Sequence, residues 1–262
     1  RAEVNSRRGQ YLQAGLPFDP VLQYQSEEIG NEGASGLHSV RVNQQFVTAD
    51  KLHVAQQVQA REVQKQQAQL RAAELRVLTR IRAAFAAASV AQRRTELTGQ
   101  IVELAEDSLR SVQSLVDAKE ASNIALLQAK IELDQARVNA ENAATQLQAD
   151  RRALAAAVGM PELPPASLAV DRGETLEETP WELLVSELGA SSPELAAADS
   201  ELERARWALQ LACAQVTPNI TGQIGVGMDA ATDDSYAIVG VSVPLPIRNR
   251  NLGNIQTARA DI

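Results

Sequence analysis

Residues 77–116, VLTRIRAAFAAASVAQRRTELTGQIVELAEDSLRSVQSLV, decide the fold of this chain. Within them, apolar or small residues recur every seven positions in two registers. One register is Ile81, Ala88, Thr95, Val102, Leu109 and Val116, and the other is Val77, Ala84, Ala91, Thr98, Ala105 and Val112. A period of seven is typical of a coiled-coil seam. Because most seam residues are small, the pattern predicts a long helix whose axis lies close to that of a second helix.

The sequence on either side of this stretch extends the helix and then turns it back. Between Thr48 and Leu115 there is no proline and only one glycine, so a helix of about 68 residues would be about 100 Å long. The heptads break at 117–123 (DAKEASN) and resume in a returning helix that ends at Gly159. Its seam consists of Leu126, Leu133, Ala140, Leu147 and Leu154, accompanied by Ala129, Ala136 and Ala143. The pattern predicts an antiparallel helical hairpin with a left-handed twist.

Towards the N-terminus, the sequence predicts a β-hairpin. Gly15, Pro17 and Pro20 end a first helix, and strand-like segments follow at 19–27 and 37–46, separated by a loop with Gly30, Gly33 and Gly36. In the second strand, Val40, Val42 and Phe46 share one face, whereas Arg41, Asn43 and Gln45 share the other. This alternation indicates a strand with an apolar outer face and a polar inner face.

After Gly159, the prolines Pro161, Pro164 and Pro165 open an irregular stretch to about Thr179. A short helix is predicted at 181–188, followed by a longer one from Pro193 to about Val216, with Ser192 as its N-cap.

A second β-hairpin is predicted at 218–228 and 235–243, where Thr221 and Gln223 alternate with Ile220, Ile224 and Val226. The order of elements around it repeats the order around the first hairpin, about 200 residues earlier. We therefore expect a second helical hairpin to follow Ile262 and an export signal to precede Arg1.

Composition excludes several classes of function. The net charge is −8 and the basic residues form no patch, which argues against nucleic acid as a partner. One cysteine (Cys213), two histidines (His38 and His53) on different elements and two distant methionines predict no metal site and no cofactor.

Four stretches carry a resemblance to a known family: 14–25 (AGLPFDPVLQYQ), 117–137 (DAKEASNIALLQAKIELDQAR), 151–161 (RRALAAAVGMP) and 243–260 (VPLPIRNRNLGNIQTARA). In this order they resemble the TolC family of outer-membrane efflux proteins, in particular its heavy-metal-resistance branch. The chain departs from the family pattern at Ala118, where a glycine often makes the tip turn, and at 46–52 (FVTADKL), which lacks the frequent Gly-Gly-Lys-Arg.

The resemblance implies a mainly α chain with a small β part. It implies a homotrimer whose subunits each give four strands to a twelve-stranded barrel in outer-membrane lipid and helical hairpins to a periplasmic tunnel. It implies a passive exit duct rather than an enzyme, located in the outer membrane of a Gram-negative-type envelope with a periplasmic extension. The partners would be a periplasmic adaptor and an inner-membrane pump.

Regions and site residues follow from the same resemblance. The regions are 1–15, the end of an equatorial helix; 16–47, the first barrel hairpin; 48–160, the periplasmic helical hairpin; 161–192, an equatorial segment; 193–217, a helix of the second repeat; 218–246, the second barrel hairpin; and 247–262, the start of the second helical hairpin. The expected adaptor-docking tip is Asp117, Ala118, Lys119, Glu120, Ala121 and Ser122, although its charged residues also suit a solvated turn. The expected lumen-facing residues are Arg41, Asn43, Gln45, Thr221 and Gln223.

Two other functions compete with the exit duct. A periplasmic adaptor also carries a long helical hairpin between β-rich parts, but its flanks would be two lipoyl half-motifs rather than repeated strand pairs. A structural coiled coil would explain the heptads but not two amphipathic β-hairpins. Within the family, secretion of proteins or glycans stays open beside efflux of small solutes.

Overall fold

The computed structural model of the chain describes residues 1–30, 36–161, 168–169 and 180–262. These fall into two compact units, one formed by residues 1–72 with 181–262 and the other by residues 73–180. In chain order the elements are α1 (Ala2–Ala14), β1 (Val21–Glu27), β2 (Leu37–Phe46), α2 (Lys51–Asp117), α3 (Asn123–Val158), α4 (Trp181–Ser191), α5 (Pro193–Ala214), β3 (Ile220–Asp229), β4 (Asp234–Ser242) and α6 (Leu252–Ala260). The predicted fold class, mainly helical with two β-hairpins and an antiparallel helical hairpin, is confirmed.

Sequence-predicted boundaries differ from these by a few residues. Strand β2 has the predicted bounds, whereas β1 begins at Val21, after Pro20, which has no N–H to give to a ladder. Ser192 caps α5 as predicted, since its Oγ accepts a hydrogen bond of 3.3 Å from the Leu195 N–H. The loop around Gly33 and most of the segment predicted as irregular after Pro161 lie outside the described residues.

The first unit contains a single antiparallel sheet in the order β1-β2-β3-β4. The hairpins β1–β2 and β3–β4 are those that alternation predicts, and the two hairpins are joined by pairing of β2 with β3, from Leu37 opposite Asp229 to Phe46 opposite Ile220. Among the described residues, β1 and β4 each pair on one side only. The sheet therefore has two open edges.

The passage from β2 into α2 is held by polar contacts to the turn that precedes β3. Lys51 donates from Nζ to Asn219 Oδ1 at 2.6 Å and to the Thr217 carbonyl, and Thr48 Oγ1 donates to the Pro218 carbonyl at 2.6 Å. Burial lowers the pKa of Lys51. Ala49 precedes this lysine with a φ of 56° and Asp50 with a φ of 53°, a left-handed conformation that is unfavourable for residues with a Cβ.

The helices of the first unit are joined by a network of charges. Glu201 on α5 accepts from Arg204 Nη2 at 2.7 Å and from Lys65 Nζ of α2 at 2.9 Å. Glu62 on α2 lies 3.6 Å from Arg7 of α1 and 3.8 Å from Arg204. The hydrogen bonds from Arg204 are the main reason that the pKa of Glu201 falls to about 2.

The second unit is the helical hairpin formed by residues 73–117 of α2 and by α3. Its seam buries mostly small side chains, namely Ala88, Ala91, Ala129, Leu133, Ala136, Ala143 and Leu154. Thr95 Oγ1 reaches the Ala143 carbonyl at 3.2 Å, and Arg137 on α3 pairs with Glu106 on α2 at 2.9 Å. The predicted heptad seam is thus present along the hairpin.

One predicted seam residue, Val77, is not in the seam, since its side chain is 53 % exposed. In an antiparallel pair with Thr95 facing Ala143, counting back along α2 and forward along α3 places Val77 opposite Pro161. Because α3 ends at Val158, no helical partner remains at that level. The seam therefore begins at Ile81.

No helix among the described residues carries an apolar stretch long enough to cross a bilayer.

Candidate functional site: a two-faced sheet and a hairpin tip

One face of the four-stranded sheet is apolar. Residues paired across antiparallel strands share a face, so the register places large apolar side chains from all four strands together. They are Leu22, Tyr24, Val40, Val42, Phe46, Ile220, Ile224, Val226, Met228, Val239 and Val241. Their exposed fractions range from 38 % for Val42 to 81 % for Val239. A contiguous exposed apolar surface of this kind marks a site of contact with another molecule or with lipid.

The opposite face is mainly polar and contains all five residues expected to face a lumen, although Val21, Leu37, Tyr236 and Ile238 also lie on it. Asn43 is paired with Gln223 and Gln45 with Thr221, and Arg41 lies on the same face, paired with Gly225. All five side chains are half-buried. Asn43, for example, donates to Gln23 Oε1 at 3.1 Å.

Glycines on the polar face lie directly opposite its long side chains. A Cβ at Gly225 would lie 2.5 Å from the Val40 carbonyl oxygen and 2.7 Å from the Arg41 Cβ. A Cβ at Gly227 would collide with the Tyr236 ring. At Gly227 the Tyr236 side chain occupies the space that a side chain would need, whereas at Gly225 the backbone of β2 and the Arg41 Cβ occupy it.

Acidic residues form a row at the loop end of the polar face. The register aligns Glu27 with Leu37, Leu37 with Asp229, and Asp229 with Asp234. The Asp229 carboxylate accepts a hydrogen bond of 2.9 Å from the Ala231 N–H, and this bond is the main reason that its pKa is lowered. The lowered pKa favours the charged form of the Asp229 carboxylate.

The apolar face carries a polar cluster near the same end that the sequence did not predict. Tyr24 and His38 stack with ring centroids 6.2 Å apart. The Nδ1 atom of His38 lies 2.8 Å from Tyr24 Oη and 3.0 Å from Ser26 Oγ. Residues at every second position of a strand share a face, so Tyr24, Ser26 and His38 lie on the same face of the sheet. This spacing is the sequence signal from which the cluster could have been predicted.

The tip of the helical hairpin is a Schellman turn followed by an N-cap. The Glu120 N–H bonds the Leu115 carbonyl at 2.8 Å and the Lys119 N–H bonds the Val116 carbonyl at 2.9 Å. Lys119 has a φ of 62°, so the left-handed residue of this turn is Lys119 rather than Ala118. The next helix starts where Ser122 Oγ accepts from the Ala125 N–H at 3.3 Å.

The six residues of the expected docking tip are adjacent in space and mostly exposed. Ala121 is half-buried, and Asp117 accepts a hydrogen bond of 2.9 Å from Gln113. Lys119 and Glu120 have no side-chain partner among the described residues, so both charges are available to another molecule. The tip therefore offers two small residues, Ala118 and Ser122, beside one positive and one negative charge.

Neither surface resembles a metal centre. Within the described part of the chain, no three His, Cys, Asp or Glu side chains are placed to hold a metal ion.

Comparisons with known proteins show which family shares this architecture. The profile of the family described as "Outer membrane efflux protein" matches residues 1–160. The chain is 26 % identical over 257 residues to the cobalt-zinc-cadmium resistance protein CzcC of Cupriavidus metallidurans, an alignment that covers 98 % of this chain and 60 % of that relative. The chain thus spans well under two thirds of the length of this relative.

Solved structures share the fold at low identity. The crystal structure of CusC superimposes with a TM-score of 0.75 at 16 % identity, over 99 % of this chain and 64 % of the CusC chain. The outer membrane protein VceC of Vibrio cholerae gives a TM-score of 0.73 at 19 % identity, over 99 % of this chain and 67 % of its own. Since the family profile matches more than half of the residues, the chain belongs to the outer membrane efflux protein family.

Proposed function

We propose that this chain is part of an outer-membrane exit duct of a tripartite efflux system, through which small solutes or metal ions pass passively. The observation that carries the proposal is the two-faced sheet, apolar on one side and polar on the other. A sheet of this kind separates a lipid phase from an aqueous passage. The adaptor and coiled-coil alternatives give no reason for an exposed apolar face built from four strands.

The open edges of the sheet support assembly into a homotrimer. Strands β1 and β4 present unpaired backbone groups among the described residues, and such groups cannot stay unpaired in lipid. Three copies that pair β1 of one subunit with β4 of the next satisfy both edges and close a twelve-stranded barrel. The apolar face then contacts outer-membrane lipid, and Arg41, Asn43, Gln45, Thr221 and Gln223 face the lumen.

The helical hairpin supports a tunnel made of several such hairpins. Besides its buried seam it carries exposed apolar residues at heptad spacing, namely Val90, Leu97 and Leu104 on α2 and Ile124, Ile131 and Val138 on α3. A second heptad stripe suits packing against helices of other hairpins. In the trimer these helices form the periplasmic extension of the duct.

The tip at 117–122 is the proposed docking site for the periplasmic adaptor, which in turn connects to an inner-membrane pump. The small residues Ala118 and Ser122 allow helices of a partner to approach closely, and Lys119 and Glu120 offer charges for pairing. The name of the similar cobalt-zinc-cadmium resistance protein supports divalent metal ions as cargo.

Channel formation is tested with the intact protein that contains this sequence. We expect a trimer in detergent that resists dissociation on mild heating and that conducts ions in planar bilayers. A stable monomer that does not conduct would contradict the duct.

Docking is tested with a photo-reactive residue at Ser122 in cells that contain the cognate pump. A covalent adduct with the adaptor is expected from Ser122 but not from the exposed Gln67 on α2. Ser122→Trp should abolish resistance at normal protein levels, because a bulky ring prevents close approach. Equal amounts of adduct from both positions would mean that the tip is a solvated turn and not the docking site.

A further inference from the structure

We propose that Arg41 tunes the charge selectivity of the strand-lined part of the duct by offsetting the negative charge of the carboxylates on the same polar face. This inference rests on the function proposed above, because it requires the polar face to line a passage. It assigns a specificity-determining role to the one positively charged side chain that the described strands place on this face.

Arg41 occupies the middle of the polar face. Its cross-strand neighbours there are Gln23 on β1 and Gly225 on β3. The rows before and after it contain Gln25, Ser39, Gly227 and Tyr236 on one side and Asn43, Gln223 and Gly240 on the other. Apart from the acidic row at the loop end, Arg41 is the one charged side chain that the described strands place on this face.

The guanidinium is held in place by neutral acceptors. Its Nη2 donates to Gln25 Oε1 at 2.6 Å and to Ser39 Oγ at 3.2 Å. The Gln25 amide in turn donates to Glu27, which fixes the orientation of its oxygen towards Arg41. A Cβ at Gly225 would lie 2.7 Å from the Arg41 Cβ, so the glycine allows β3 to pack closely against β2 at this row. The charge therefore has a fixed position on the sheet.

This positive charge is not neutralised by an ion pair. No carboxylate of the described residues lies within ion-pair distance of Arg41, and its buried Nε has no hydrogen-bond partner. An arginine keeps its charge at every physiological pH. Three subunits would bring three such charges to the same level of the lumen.

The acidic row lies close enough to Arg41 for the opposite charges to offset each other. The Cα positions of Glu27, Asp229 and Asp234 are four residues, about 13 Å, further along the strands than that of Arg41. The charged groups on β1 and β2 are closer than this, because the side-chain amide of Gln25 accepts from Arg41 Nη2 and donates to Glu27. The charge of Arg41 therefore offsets part of the negative charge that this face presents to an ion.

The test compares ion permeabilities of the intact protein in planar bilayers under a potassium chloride gradient. Three charges about 10 Å from an ion change the permeabilities of chloride and potassium about twofold each and in opposite directions, so Arg41→Gln should lower the chloride-to-potassium permeability ratio about four- to fivefold at 0.1 M salt. Arg41→Lys keeps the charge and should keep the ratio. Glu27→Gln removes a negative charge and should raise the chloride-to-potassium permeability ratio. At 1 M salt, where the Debye length is about 3 Å, the differences should shrink.

A second variant covers the case in which Arg41→Gln fails to assemble. Asn43→Asp adds a negative charge on the same face, one row from Arg41, and should also lower the chloride-to-potassium ratio. If wild-type protein conducts but neither Arg41→Gln nor Asn43→Asp changes the permeability ratio, the proposed role of Arg41 is wrong. The proposed function as an exit duct would not be affected by that result. If the wild-type protein forms no conducting species, the proposed function itself fails.

Discussion

The four-stranded sheet and the helical hairpin both leave apolar side chains uncovered, but with different residues and different buried surfaces. The sheet exposes one face of Val, Ile, Leu, Phe, Tyr and Met, whose side chains are 38–81 % exposed among the described residues. The hairpin buries a seam composed mainly of alanine and exposes a separate stripe of larger residues. In the proposed duct the sheet face meets an apolar medium, whereas the seam packs against one particular neighbour.

This difference predicts opposite sensitivities. A lipid-like medium adapts to side chains of any size but penalises charge. A seam of alanines keeps two backbones close together and has no space for added methylene groups. Substitutions that change charge should therefore affect the sheet most, and substitutions that change volume should affect the hairpin most.

The largest effect is expected from a charge on the apolar face. Val42→Arg should abolish assembly in the outer membrane, because a lipid-facing arginine costs about 2–4 kcal/mol near the bilayer midplane and occurs three times per trimer. The measurement is the yield of heat-resistant trimer in outer-membrane fractions. Asn43→Arg, the adjacent residue on the polar face, is the matched control and should assemble. Val42→Phe should also assemble, since it changes size but not charge.

Equal yields from Val42→Arg and Asn43→Arg would mean that the two faces do not meet different media.

A smaller effect is expected from added volume in the seam. Ala143 is 3 % exposed, and its carbonyl accepts from Thr95 across the hairpin. Ala143→Leu should destabilise the hairpin by about 1–3 kcal/mol through overpacking. The adjacent Ala144 is exposed, so Ala144→Leu is the matched control. Thermal unfolding of the intact protein followed by circular dichroism would compare them, and a seam that tolerates leucine at 143 would remove the contrast with the sheet.

Each region also contains a left-handed residue that glycine should improve. Ala49 has a φ of 56° before α2, and Lys119 has a φ of 62° at the hairpin tip. Ala49→Gly and Lys119→Gly should each raise stability by about 1 kcal/mol, because a Cβ makes this conformation unfavourable. Ala118→Gly should give no gain, since the φ of Ala118 is not positive. A gain in stability from Ala118→Gly but not from Lys119→Gly would mean that Ala118, and not Lys119, is the left-handed residue of the turn.

The smallest effect concerns pH and the charge network of the first unit. The pKa of Glu201 is lowered from 4.5 to about 2 by Arg204 and Lys65. A carboxyl with a lowered pKa contributes stability that is present above its unfolded pKa and is lost as the pH falls towards its folded pKa. Between pH 4.5 and 2, the apparent Tm of the wild type should fall more steeply than that of Glu201→Gln. Parallel curves would mean that the network does not stabilise the folded state.

Sequence periodicity was enough to predict the strands, the hairpin and the seam, because each depends on residues close together in the chain. The alternation in β2 placed Arg41, Asn43 and Gln45 on one face, and the register adds Thr221 and Gln223 to it. The pairing of β2 with β3 was not predicted, since two strands so distant in sequence share no local signal for their register. The hydrogen bonds of Arg41 to Gln25 and Ser39 could not be predicted either, because they depend on the exact register of β1 with β2 and on side-chain rotamers.

The hairpin tip shows the same limit of sequence-based prediction at the level of a single residue. The family pattern drew attention to Ala118, but the left-handed residue is one position later, at Lys119. A Schellman turn is defined by which carbonyls the last N–H groups reach, and that depends on where the helix ends rather than on the residue type alone. The same reasoning explains Val77, whose apolar character fits the heptad but whose level lies past the end of α3.

The glycines opposite Arg41, Tyr236 and Gln223 affect how the side chains of the polar face pack. The Tyr236 ring and the Gln223 amide lie where Gly227 and Gly240 have no side chain, whereas a Cβ at Gly225 would meet the Val40 carbonyl and the Arg41 Cβ. In the proposed barrel, the width of the passage would be governed mainly by strand number and tilt. Replacing Gly227 or Gly240 would displace a long neighbour, whereas replacing Gly225 would disturb the pairing of β2 with β3.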